Sequence, residues 1–152
     1  MSMLSTARAS WRGSLLEGSG RIETTGSGAI GDLPITWSSR TETAGGRTSP
    51  EELIAAAHAA CFSMALSHRL ANAGHPAERL EVSATVSFDK GEAGWGISSI
   101  ELAAEGRVPG IEAAEFEALA ADAKENCPVS RALKGNVAIV VHAQLESVQS
   151  PA

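Results

Sequence analysis

The sequence has few cysteines, no cluster of basic residues and no long apolar run, and each absence narrows the possible functions. Only two of the 152 residues are cysteine, and the formal net charge is −6. An acidic chain without a basic cluster is a poor match for nucleic acid or an anionic membrane surface. The uncharged run over residues 53–67 is too short and too rich in alanine to span a membrane. We therefore expect no nucleic-acid partner and no membrane partner.

The same absences predict a cytoplasmic location. Residues 1–12 lack the apolar core of a signal peptide. Thiols in the cytosol are normally reduced, so the two cysteines are not expected to form a permanent structural disulfide. They are then inert core residues, metal ligands or reactive thiols. At 152 residues the chain is long enough to bury its own core, and we predict a single domain over residues 1–152.

Hydrophobic periodicity predicts an α+β fold with a largely antiparallel sheet and the order β-β-β-α-β-β-α-β. A phase shift between Ile97 and Ile100 indicates a bulge in the fifth strand. The predicted strands cover residues 7–12, 21–25, 33–40, 80–89, 95–107 and 137–145, and the predicted helices cover residues 50–72 and 111–125, with a short third helix over 129–134. Residues 147–152 are expected to be a frayed tail.

The predicted central helix has strong start signals. Ser49 is a good N-cap, Pro50 suits the first helical position, and Glu52 completes a capping box. Residues 53–67 carry no formal charge, and such a helix is buried on most of its surface. One sheet face cannot cover it, so the pattern suggests a second subunit.

The residues taken one by one leave their roles open. Cys61 lies inside the predicted buried helix, where a cysteine is commonly a small apolar filler. Cys127 lies at a helix end beside Pro128, a position from which it is able to move. His58 lies one turn before Cys61. Its role could be that of a base, a metal ligand or a core histidine.

Three further features have simple explanations. Arg40 ends a predicted strand and reads as a solvated charge, while Glu51 suits the helix dipole. The three remaining histidines form no recognisable ligand spacing, so metal binding is disfavoured. These histidines are His68, His75 and His142.

Three segments together resemble the OsmC/Ohr family of hydroperoxide reductases. They are residues 49–66 (SPEELIAAAHAACFSMAL), 108–111 (VPGI) and 126–134 (NCPVSRALK). The HAACF form and the arginine of Ser39-Arg40-Thr41 are similar to the OsmC branch. Ser49 departs from the asparagine of many relatives, but both residues cap helices.

The resemblance implies the fold, the chemistry and the site residues. It implies an intertwined homodimer in which two central helices are wrapped by six-stranded sheets, with active sites at the subunit interface. Cys61 would be the peroxidatic cysteine, Cys127 the resolving cysteine, and Arg40 with Glu51 the activating pair. The substrate would be an organic hydroperoxide and the reductant an external dithiol of lipoyl type or a small thiol. The resemblance implies no metal, haem or flavin cofactor.

Helix geometry adds a prediction about the subunits. Glu51 and Cys61 lie ten residues apart on one predicted helix, which places them about 15 Å apart along the axis and about 80° apart around it. An activating pair that includes Glu51 then best serves the Cys61 of the other subunit. We predict composite sites, with Cys61 and Cys127 from one chain and Arg40 and Glu51 from its partner.

Three hypotheses for the function remain open at this point. Under the first, the protein is a peroxidase in oxidative and osmotic stress defence. Under the second it is a non-enzymatic redox-sensing dimer that uses the same disulfide as a switch. Under the third it is a thiol hydrolase with a Cys61–His58 pair.

Overall fold

A computed structural model describes residues 1–147 of the chain. The fold is α+β and contains two long helices, as the sequence pattern predicts. The elements are β1 (Ala7–Arg12), β2 (Ser19–Thr25), β3 (Gly31–Ile35), α1 (Trp37–Thr41), α2 (Pro50–Asn72), β4 (Arg79–Gly91), β5 (Gly94–Arg107), α3 (Ala113–Asn126), α4 (Pro128–Leu133) and β6 (Ala138–Leu145). The expected frayed tail lies, apart from Ser147, outside the described residues.

The six strands form two three-stranded sheets within one chain. The first has the order β1-β2-β3 and is antiparallel. The second has the order β4-β5-β6, in which β4 and β5 are antiparallel whereas β5 and β6 are parallel. The largely antiparallel arrangement is therefore confirmed. The register of β4 against β5 shifts between Ser87 and Phe88, so that Phe88 pairs with Ile97, and this is the predicted bulge.

The chain divides into two compact units, residues 1–53 and residues 54–152. In the first unit none of residues 1–47 is buried. Trp11 is 39% exposed, and Leu15, Leu16 and Ile30 are also exposed. A unit with so much uncovered apolar surface needs cover from elsewhere. The single domain over residues 1–152 stays a prediction.

The second unit has a hydrophobic core between helices and sheet. Leu66 on α2, Leu102 on β5 and Phe116 on α3 are fully buried in it. Gly106 on β5 lies under the ring of Phe116, because a Cβ there would come within 2.8 Å of the ring. The remaining members are Phe62, Leu70, Ile100, Ala104, Val108, Ile111, Ala120, Ala123 and Cys127.

Helix α2 begins and ends where the sequence predicts. The Glu52 N–H donates to Ser49 Oγ at 3.0 Å, which confirms Ser49 as the cap. The Glu52 carboxylate accepts from the Thr48 hydroxyl at 2.9 Å. The helix is not buried on most of its surface, however, because one face is uncovered and Met64 on it is 68% exposed. The other exposed residues of that face are Ala56, Ala57, Ala60, Ser67, His68 and Ala71.

The third strand is shorter than predicted. β3 ends at Ile35, and the residues after it form the short helix α1. Thr36 caps this helix, since the Ser39 N–H donates to Thr36 Oγ1 at 3.1 Å and the Thr36 N–H donates to Ser39 Oγ at 3.1 Å. Arg40 therefore lies in a helix and does not end a strand. The Thr-x-x-Ser spacing was the signal for this helix, and the alternation of Leu33 and Ile35 hid it.

The described helices include none with the length and hydropathy of a membrane span.

Candidate active site

Arg40 and Glu51 form a two-point ion pair in the first unit. Arg40 Nη2 donates to Glu51 Oε1 at 2.6 Å, and Arg40 Nε donates to Glu51 Oε2 at 3.2 Å. Glu51 is buried, and the guanidinium carbon also lies 5.3 Å from the centre of the Trp37 ring. The carboxylate and the ring together fix the plane of the guanidinium.

Local hydrogen bonds bring these two residues together. Ser39 Oγ donates to the Thr48 carbonyl at 3.0 Å. The Thr48 N–H donates to the Pro34 carbonyl at 3.0 Å. These bonds close the loop between α1 and α2, so that Arg40 on α1 meets Glu51 in the first turn of α2.

Cys61 and Cys127 form a second pair, in the other unit. Both are free thiols, and Cys127 Sγ lies 3.1 Å from Cys61 Sγ. Cys127 is fully buried, whereas Cys61 is partly exposed. Cys127 lies at the junction of two helices, because its N–H donates to the Ala123 carbonyl of α3 and its carbonyl accepts from the Arg131 N–H of α4.

The surroundings of Cys61 oppose ionisation. Burial raises the pKa of the Cys61 thiol, the Val129 N–H donates to its sulfur and lowers that pKa, and the adjacent Cys127 raises it. The net pKa is above the ordinary value. Since only the thiolate is a good nucleophile, a positive group beside this sulfur would increase its reactivity.

His58 and Ser130 each lie three residues from one of the two cysteines, and the sequence interpretation assigned nothing to Ser130. His58 Nε2 and Ser130 Oγ are 2.7 Å apart. Both side chains are buried, and His58 Nδ1 has no hydrogen-bond partner among the described residues. Burial lowers the pKa of His58, so the ring is neutral near pH 7.

The structure thus joins the four predicted site residues two by two, Arg40 with Glu51 and Cys61 with Cys127. Among residues 1–147, no group of three or more histidine, cysteine, aspartate and glutamate side chains could hold a metal ion.

The sequence matches the family model described as OsmC-like protein over residues 43–142. It is 42% identical over 139 residues to Peroxiredoxin OsmC of Escherichia coli strain K12, and this match covers 91% of the chain and 96% of that protein. The chain belongs to the OsmC-like family. The OsmC-like match includes Glu51, Cys61 and Cys127, and Arg40 precedes it by three residues.

Solved OsmC-like structures agree with this fold. The organic hydroperoxide resistance protein OhrB of Bacillus subtilis aligns with a TM-score of 0.71 at 28% identity, covering 91% of this chain and 98% of that one. An organic hydroperoxide resistance protein OsmC from Legionella pneumophila aligns with a TM-score of 0.69 at 30% identity, covering 94% and 99%.

Proposed function

We propose that this protein is a thiol-dependent peroxidase that reduces organic hydroperoxides to alcohols. The observation that carries the proposal is the contact of two free thiols, Cys61 and Cys127, at 3.1 Å. The Peroxiredoxin OsmC relative and the organic hydroperoxide resistance proteins support it. We place the protein in the cytoplasm, in defence against oxidative and osmotic stress.

The first step oxidises Cys61. Its thiolate attacks the terminal oxygen of ROOH, the O–O bond breaks, and RO⁻ leaves and takes a proton to give the alcohol. Cys61 becomes a sulfenic acid. It is the better nucleophile of the two because it is partly exposed, whereas Cys127 is fully buried.

The second step closes a disulfide. Cys127 sulfur attacks the sulfenic sulfur of Cys61, an S–S bond forms, and water leaves. A dithiol then restores the enzyme: one thiolate attacks Cys61, Cys127 leaves as a thiol, and the second thiol releases Cys61 while the dithiol becomes its own disulfide. A lipoyl-type dithiol or a small thiol suits this role.

The arginine–glutamate pair supplies a positive group for Cys61. A guanidinium beside the sulfur favours the thiolate and polarises the O–O bond, and Glu51 holds its orientation. Glu51 and Cys61 both lie on α2, ten residues apart, and an α-helix separates such positions by about 15 Å. We therefore assign the pair of one chain to the Cys61 of the partner chain.

Two uncovered apolar surfaces support a homodimer. One is the exposed face of α2 that includes Met64, and the other is the surface of the N-terminal unit that includes Trp11 and Ile30. A second copy of the chain covers both in an intertwined dimer. In that dimer the three-stranded sheets combine into the six-stranded sheets that the sequence resemblance implies.

Steady-state assays test the proposed function. We expect purified protein to consume tert-butyl and cumene hydroperoxide faster than hydrogen peroxide, with dihydrolipoamide preferred over thioredoxin and glutathione. Cys61 packs against the hydrophobic core of its unit, and these apolar surroundings favour alkyl substrates. A single oxidation without turnover would indicate the redox-sensing alternative. Hydrolysis without any response to peroxide would indicate the thiol hydrolase.

A further inference from the structure

The His58–Ser130 hydrogen bond joins the two segments that carry the thiols. His58 precedes Cys61 by three residues on α2, and Ser130 follows Cys127 by three residues in α4. On a helix, residues three apart share a face. Each partner of the hydrogen bond therefore lies about one turn from one of the two cysteines.

Between these positions lies the amide that contacts the reactive sulfur. The Val129 N–H donates to Cys61 Sγ. Val129 follows Pro128, which has no N–H to donate. Val129 is adjacent to Ser130, so the hydroxyl that bonds His58 is one residue away from the amide that bonds Cys61.

Packing alone does not account for an imidazole at this position. The His58 side chain is fully buried, and its Nδ1 atom has no hydrogen-bond partner among the described residues. A buried polar atom without a hydrogen bond is destabilising, and an apolar residue of similar size would avoid that cost. The ring nitrogen that does bond must therefore provide something that an apolar side chain does not.

We propose that His58 and Ser130 are a positioning pair that holds α4 against α2, so that the Val129 amide and the Cys127 thiol both stay at the sulfur of Cys61. The proposal rests on the proposed roles of the two cysteines. The Val129 amide favours the thiolate before peroxide arrives. Cys127, held by the same contact, closes the disulfide before a second peroxide oxidises the sulfenic acid further.

The titration of Cys61 reports on this arrangement. Cys127 is the titratable group in contact with it, with the two sulfurs 3.1 Å apart. His58 lies three residues earlier on α2, and Arg40 and Glu51 of the partner chain face it in the proposed dimer. Burial lowers the pKa of His58, so the ring stays neutral over the alkaline range where thiols ionise. A shift of the profile in that range then reflects the thiols and the hydrogen bonds that they accept.

The test compares variants that break the hydrogen bond with one that keeps it. Ser130→Ala and His58→Leu remove one partner each. His58→Gln retains an N–H near the position of Nε2. Two quantities are measured on the full-length protein: the pH dependence of single-turnover oxidation by cumene hydroperoxide, and the fraction of Cys61 oxidised to sulfinic acid after several equivalents without reductant.

We expect Ser130→Ala and His58→Leu to raise the apparent pKa of oxidation by about one to two units, the size of one hydrogen bond to a charged group. Both should increase the sulfinic fraction several-fold. His58→Gln should restore most of both quantities. Leu70→Val, which loosens the buried core elsewhere on α2, is the control for lost stability and should change neither.

Two outcomes would overturn the proposal. One is a wild-type pH profile and sulfinic fraction in folded Ser130→Ala. The other is equal behaviour of His58→Leu and His58→Gln, a comparison that decides the matter even when Ser130→Ala does not fold. Cys61→Ser measured in parallel distinguishes failure of this proposal from failure of the proposed peroxidase function. If Cys61→Ser retained activity, the proposed function itself would be overturned.

Discussion

Arg40 holds both carboxylate oxygens of Glu51, with Nη2 at 2.6 Å from Oε1 and Nε at 3.2 Å from Oε2. Only the planar fork of a guanidinium makes this pair of bonds. The Trp37 ring lies 5.3 Å from the guanidinium carbon. The positive charge is thus fixed in direction as well as in place.

Arg40 should act through this geometry and not through charge alone. Arg40→Ala should lower kcat/KM for cumene hydroperoxide about 10²–10³-fold, as removal of one preorganised stabilising donor does. Arg40→Lys should recover little of the loss, because an ammonium cannot bind two carboxylate oxygens and still face a sulfur. In the proposed dimer, removing the guanidinium should raise the pKa of the Cys61 thiol that it faces, so the remaining activity should rise with pH.

The exposed Arg47 provides the matched control, since Arg47→Ala removes the same charge from the loop that follows α1. It should leave kcat/KM unchanged. A lysine variant with near wild-type kcat/KM would contradict the two-point argument.

The two cysteines should respond differently to replacement by serine. Cys61→Ser should abolish peroxide reduction, because Cys127 is fully buried and is the one remaining thiol. Cys127→Ser should reduce about one equivalent and then stall or overoxidise. Mass spectrometry after one and after many equivalents measures this. Normal turnover of Cys127→Ser with a dithiol would contradict the resolving role that we propose for Cys127.

The buried neutral His58 predicts a pH dependence of stability. Burial lowers its pKa from 6.5, so the unfolded chain binds a proton at a pH where the folded chain does not. Its contribution to stability is therefore present above pH 6.5 and is lost as the pH falls from there toward the folded pKa. The thermal midpoint should decrease between pH 7.5 and 5.5.

His58→Gln should flatten the dependence in this range, whereas His68→Gln, at an exposed position on the same helix, should not. A wild-type midpoint that is constant from pH 7.5 to 5.5 would contradict the prediction. The carboxylates with lowered pKa values, such as Glu146, titrate from 4.5 downward and do not affect this window.

Gly106 should not tolerate a side chain. Its φ is not positive, but a Cβ would lie 2.8 Å from Cζ of Phe116 and 3.1 Å from Leu80 Cδ2. Gly106→Ala should destabilise the fold by about 1–3 kcal/mol, the usual cost of overpacking a core. Gly96→Ala, in the same strand with nothing within 4 Å, is the control for strand propensity. Equal midpoints in urea for both variants would show that Phe116 moves freely.

Local signals in the sequence were sufficient for the elements that local chemistry decides. Ser49 and Pro50 set the start of α2, and the nine-residue alternation after residue 79 set β4. The prediction for the third strand continued past Ile35, where β3 ends. The alternation of apolar residues continued by chance into the capped helix α1. A short helix has too few residues for its own period to be visible.

The site depended on contacts between distant segments. Nothing in the spacing of Cys61 and Cys127 brings them together, and the family resemblance supplied the pairing that the 3.1 Å contact supports. The partnership of His58 with Ser130 was missed, because a buried histidine gives no indication of its acceptor until the fold is known. The exposed face of α2 was read as buried, since a sequence does not distinguish cover by its own chain from cover by another.

The origin of each active site can be tested by mixing inactive proteins. The proposed composite sites would take Cys61 and Cys127 from one chain and Arg40 and Glu51 from its partner. Cys61→Ser protein and the double variant Arg40→Ala/Glu51→Ala should both be inactive as homodimers. Unfolded and refolded together, they should form heterodimers with one intact site and up to half the activity per dimer. Peroxidase assays on heterodimers purified with two different affinity tags measure this.

The control replaces the first partner by the triple variant Cys61→Ser/Arg40→Ala/Glu51→Ala, which has no intact half of a site to contribute. Its heterodimer with the double variant should remain inactive, so that any recovery in the first mixture reports complementation and not refolding. No recovery in purified heterodimers of the first kind would mean that each chain builds its own site. The ten-residue separation on α2 would then have to be bridged within one subunit, which the reach of a single glutamate–arginine pair makes difficult over about 15 Å.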